Sequence, residues 1–176
     1  MRGTLAEQME ATIYQYQLIR KINIRSELKW SHSISLLILL AYELVSYGIK
    51  GVIPFLVGLC GVLLLQIGII RLTLWRLNET TGQRWGWRLQ LPWAGYIPTA
   101  PIELALLRRL DRHLLGLGIC TTGLIYPWAA ESLFMSFLIW HLWFITPRIV
   151  ILHMLRKEKR SGVVMLHGKE VSYYHR

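Results

Sequence analysis

Four stretches of 17 residues or more carry almost no charge, and the charged residues are collected in the segments between them. A hydrocarbon core takes ~20 helical residues to cross, and an ionised side chain inside it is costly. This pattern constrains the chain more than any motif does, because it is the pattern of a polytopic membrane protein. The overall balance agrees: 53% of the residues are hydrophobic and 17% charged, where an ordinary soluble domain has about a quarter charged. Such a balance excludes a disordered chain, a secreted disulfide scaffold and a free cytosolic globule.

The first span is expected over 31–49 and the second over 52–74, joined only by Lys50, Gly51 and their neighbours. So short a link makes two adjacent helices antiparallel, with the tip of the hairpin outside. The third span, 114–130, and the fourth, 132–152, meet at Glu131 in the same way. The fold class read from this is an all-α integral membrane protein with four transmembrane helices in two antiparallel hairpins. An N-terminal amphipathic helix and a cytoplasmic central segment complete it. The corresponding regions are 1–30, 31–77, 78–113, 114–154 and a basic tail at 155–176.

Twenty Lys and Arg against ten Asp and Glu give a net charge of +10. In a soluble protein this would point to nucleic acid. Here the basic residues fall into three groups, from Arg2 to Lys29, from Arg71 to Arg112 and from Arg148 to Arg176, and only Lys50 lies outside them. All three groups lie on one side of the spans, which the positive-inside rule makes the cytoplasm. The expected location is therefore a bacterial inner membrane with both termini cytoplasmic. The expected partners are anionic headgroups on that side, and nucleic acid is not among them. No short apolar core with a cleavage site is seen near the start, so the first span itself is expected to direct insertion. Cys60 and Cys120 both lie in apolar runs with no metal-finger spacing and read as packing residues.

Thr4 and Glu7 form a capping box, and Leu5, Met9, Ile13, Tyr16 and Ile19 recur at spacings of three or four. That predicts an amphipathic helix lying in the headgroup layer. The stretch 78–101 is rich in Gly, Pro, Trp and Arg and has no helical period. Trp85, Trp87 and Trp93 interleaved with Arg84 and Arg88, followed by Arg108 and Arg109, suit interfacial or headgroup contact. The segment 102–113 is helical in composition and is expected to run into the third span. In the tail, a short strand pair turning at Gly168 is allowed by the alternation of Val163, Met165 and Val171. Both halves repeat one recipe of basic helix, span, tight outer turn and span. If this is a duplication, it is a parallel repeat with its pseudo-twofold axis along the membrane normal.

Few residues are candidates for chemistry. Glu43 in the first span and His141 in the fourth fall at comparable depth, where a facing pair would relay a proton or hold a cation. Arg71 and Arg148 lie toward the inner ends of their spans, where they snorkel to phosphates or, brought together, clamp an anion. No catalytic motif, cofactor loop or metal-ligand spacing is present, so neither a cofactor nor a metal is called for. Gly118 and Thr122 form a small-xxx-small pair suited to close helix contact. A wide apolar surface on so few spans points to a homo-oligomer or a subunit of a larger membrane complex. The leading expectation is a non-enzymatic accessory or assembly component of a transport or secretion complex. The alternatives are a small homo-oligomeric transporter or channel using Glu43 and His141, and an interfacial enzyme acting on lipid headgroups through His113, Asp111 and Arg148.

Overall fold

Among the described residues the charge-poor runs lie in helices, and strands form in the segments between them. The computed structural model describes residues 17–77, 85–158, 162–168 and 170–175. In chain order the elements are β1 (Gln17–Asn23), α1 (Ser26–Tyr47), α2 (Val52–Arg76), β2 (Trp85–Gln90), β3 (Trp93–Pro98), β4 (Ile102–Glu103), α3 (Leu104–Ile125), α4 (Glu131–Met154), β5 (Val163–Leu166) and β6 (Glu170–His175). A single 3-10 turn, Gly48–Gly51, joins α1 to α2. Gly48 has φ +62°, a left-handed conformation that glycine adopts without penalty, and this ends α1 sharply.

Contacts along the helices set their directions. His32 stacks on Trp143 and Glu43 bonds Ser136, so α1 runs antiparallel to α4. Asp111 pairs with Arg148 and Gly118 backs onto His141, so α3 is antiparallel to α4 as well. Gly58 lies against Ser136, and Val62 shares a cluster with Trp140 and Phe144, so α2 runs parallel to α4. The four helices thus form two antiparallel hairpins. The parallel pair α2 and α4 is central, with α3 packed across both and α1 packed more sparsely.

The six strands among the described residues adjoin the helix ends opposite the two hairpin turns. One antiparallel sheet has the order β1-β6-β5-β4, and β2 pairs with β3 in a separate hairpin. The expected all-α class is therefore corrected to a mostly helical fold with a four-stranded and a two-stranded sheet. The expected helix over 1–30 is corrected from residue 17 on, where it is described. Gln17–Asn23 is a strand with Leu18 opposite Tyr174 and Asn23 opposite Glu170, and among the described residues the first helix begins at Ser26. Backbone pairing with a strand at the far end of the chain overrides the local three-and-four spacing. The Thr4 to Glu7 capping box and the rest of 1–16 lie outside the described residues, as does Arg84. The central segment, which has no helical period, contains the β2–β3 hairpin, with Trp87 opposite Tyr96 across it. The tail forms the expected strand pair, β5 and β6, which joins the larger sheet.

Two helical stretches are long and apolar enough to cross a membrane, Ser26–Arg76 through its one-turn join and Glu131–Met154. Four transmembrane helices are not shown. α3 is not among these stretches, and it carries Arg108, Arg109, Asp111 and Arg112 in its first half. It ends at Ile125 rather than 130, ahead of Pro127. Its apolar part, 114–125, is ~18 Å long against a core of ~30 Å.

Candidate functional site

Two seams on different sides of α4 hold the buried Glu43, Ser136, Asp111, His141 and Arg148. In the first, Glu43 is fully buried where α1 meets α4, and the Ser136 hydroxyl lies 2.5 Å from its Oε1 and 2.7 Å from the Ser132 carbonyl. Room for this comes from Gly58 of α2, where an added Cβ would meet Ser136 Cβ and its backbone. Glu43 Oε2 has no hydrogen-bond partner among the described residues.

The second seam lies between α3 and α4. Asp111 and Gly118 are seven residues apart on α3, as are His141 and Arg148 on α4, so one antiparallel register brings the two pairs together. The fully buried His141 ring occupies the space where a Gly118 side chain would stand. Thr122 donates to the Gly118 carbonyl at 2.9 Å and is satisfied within its own helix. Seven residues toward the strand-bearing end, Arg148 Nε lies 3.0 Å from Asp111 Oδ1 with both side chains almost fully buried. That approach is not a well-aligned hydrogen bond, and Arg148 Nη2 is left without a partner among the described residues. Burying an ion pair is offset only by close geometry and further hydrogen bonds, so this pair sits in a demanding environment.

Ser136 and His141 are five residues apart, or ~140° around α4. Glu43 and His141 therefore face different seams and do not form the expected pair, Glu43 being held by Ser136 and His141 by the α3 backbone. Arg71 and Arg148 are not brought together either. Arg71 is exposed on α2, whereas Arg148 is buried against Asp111. His113, exposed on α3, lies 3.4 Å from the Thr73 hydroxyl of α2 and apart from the Asp111–Arg148 pair.

The Trp and Arg residues expected at headgroups divide in two. Trp93 is 2% exposed and donates its indole N–H to the His167 carbonyl at 3.0 Å, and Arg88 donates to the Leu166 carbonyl at 3.0 Å. Together they fasten the β2–β3 hairpin to the end of β5. Trp85 is buried and stacked with Tyr96. Arg108 donates to the carbonyls of Leu155 and Glu158, which closes the end of α4. Trp87 and Arg109 remain exposed. Next to that joint Tyr173 is buried. Burial first, and the Glu158 carboxylate second, push its phenol above the ordinary range against the opposing pull of Arg108, so it is a neutral hydroxyl.

Several buried polar groups went unnoticed in the sequence. Gln66 is 2% exposed, and its Oε1 lies against Gly95, whose φ of +111° lets β3 approach α2 without a side chain. A lone amide in the apolar run of α2 was the available signal. Ser136 carries none beyond residue type. Among the described residues no three His, Cys, Asp or Glu side chains converge on one point. Comparison with protein-family models, with curated proteins and with solved structures finds no match.

Proposed function

We propose that the chain is a small multi-pass protein of the inner membrane, with both termini cytoplasmic, that acts as a non-enzymatic accessory or assembly component of a transport or secretion complex. The observation that carries this is the destination of its polar side chains. Arg88, Trp93, Arg108, Arg148 and Glu43 are engaged in joints within the chain, which tie the sheets to the helices and the helices to one another. What faces outward is a belt of large apolar side chains on α1 and α2, among them Leu37, Val45, Ile53 and Leu64, and the strand β1. β1 sits at the margin of its sheet and is exposed along its length apart from the half-buried Ile22. A strand in that position is a template for a partner segment.

A photo-crosslinking side chain at Ile19 of the full-length protein in cells tests this. The expected result is one dominant adduct to a different membrane-complex protein, absent when the same group is placed at Leu124 of α3. Adducts to the same chain alone, or none, would overturn it. A second reading, a small transporter or channel, is favoured by the fully buried Glu43, whose Oε2 lacks a hydrogen bond among the described residues, and by the fully buried His141. It predicts a proton or cation flux in proteoliposomes that Glu43→Gln abolishes. Absence of flux, or flux unaffected by that replacement, counts against it.

A further inference from the structure

Because α1 packs sparsely, a groove of about 500 Å³ remains between it and α4, lined by His32, Ser35 and Leu39 of α1 and by Ile139, Leu142 and Thr146 of α4 among others. It runs along the helices from His32 to Tyr42, ~15 Å at 1.5 Å per residue. Its walls are mostly apolar, and His32, Ser35 and Thr146 lie in the half nearer the sheets.

At that end His32 is 8% exposed, and its ring is stacked on Trp143 with centroids 4.0 Å apart. The Trp143 indole donates to the His32 backbone carbonyl at 3.2 Å, which fixes the indole on which the His32 ring stacks. His32 Nε2 nevertheless has no hydrogen-bond partner among the described residues. A buried ring nitrogen left unpaired costs free energy unless a ligand supplies its partner. Lys29 lies one turn below His32 and Arg25 two turns below, and neither forms an ion pair among the described residues.

We propose that this groove seats one acyl chain of an anionic phospholipid of the cytoplasmic leaflet, with His32 Nε2, Lys29 and Arg25 holding its headgroup. A slot of bilayer-normal length fits a chain, and two unpaired cations beside a buried polar nitrogen fit a phosphate with its ester oxygens. The inference rests on the membrane reading of α1 and α4 but on no particular partner protein.

The test is native mass spectrometry of the full chain in mild detergent, with added dioleoyl phosphatidylglycerol or dioleoyl phosphatidylcholine. The expected result is one phosphatidylglycerol retained per chain, with a preference of roughly thirty-fold over phosphatidylcholine, the scale of two basic side chains near an anionic headgroup. In the double variant Arg25→Gln, Lys29→Gln the preference should vanish. Ser35→Trp should fill the groove and release both lipids at unchanged elution volume and helical circular dichroism. Leu142→Phe does the same from α4 should Ser35→Trp fail to fold. Equal retention of the two lipids by the unaltered protein, or undiminished phosphatidylglycerol in a folded groove-filling variant, overturns the proposal. Recovery of the chain in the soluble fraction without detergent overturns the membrane reading itself.

Discussion

At the scale of single residues, the buried Asp111–Arg148 pair makes the sharpest demand on the fold. Its two charges are 3.0 Å apart, with side chains 2% and 6% exposed. Removing one partner strands the other charge among apolar neighbours, so Asp111→Asn should destabilise by ~3–5 kcal/mol. Replacing both, Asp111→Leu with Arg148→Met, should recover most of that loss, because the desolvation cost disappears along with the attraction. Thermal unfolding in detergent followed by tryptophan fluorescence measures both. A double variant no more stable than Asp111→Asn would mean that the pair contributes more than mutual compensation. Arg148 was conspicuous in the sequence as a charge near the inner end of an apolar run, but its partner was not. Nothing local ties residue 148 to residue 111, and the seven-residue register that joins them becomes visible only once α3 and α4 are side by side. The same holds for Glu43, which depth alone placed near His141 and which side-chain direction assigns to Ser136 instead.

At the scale of elements, the helices were legible and most strands were not, for a physical reason. A helix bonds within its own segment, so the apolar runs fix α1, α2 and α4 to within a few residues of their ends. A strand finds its partners elsewhere. β1 is defined by β6 some 150 residues later, and its sequence QLIRKIN fits either period. The β5–β6 pair was readable because its turn is local. This predicts an asymmetry within one sheet. β6 lies between β1 and β5, so Ser172→Pro removes ladder bonding from an interior strand and should cost at least ~3 kcal/mol or prevent folding. Ile19 lies in the marginal strand at a register irregularity between Leu18 and Arg20, so Ile19→Pro should cost less than ~1 kcal/mol. The same fluorescence melts decide between them, and equal losses would show that β1 is bonded on both of its edges.

For the whole molecule, each half runs strand, helix, helix, strand, strand, and the second helices of the two halves, α2 and α4, lie parallel at the centre. The first helix of each half crosses to the second helix of the other, with His32 of α1 on Trp143 of α4 and His113 of α3 against Thr73 of α2. That is the relation a parallel repeat with an axis along the helices would produce. The strands break it, since β5 and β6 take both leading strands, β1 and β4, while β2 and β3 are fastened beside them. One consequence is that every strand, and every basic group described except Lys50, gathers at a single end of the bundle. If that end is cytoplasmic, membrane-impermeant thiol reagents applied to intact cells should label Lys50→Cys and Pro127→Cys, at the two hairpin turns, in a background with Cys60 and Cys120 replaced. His167→Cys, between β5 and β6, should react only after the membrane is opened. The reverse pattern would place the sheets outside and invert the orientation. Labelling of Lys50→Cys but not Pro127→Cys would mean that α3, with its short apolar half, does not carry its turn across, leaving α1 and α2 as the only hairpin through the bilayer.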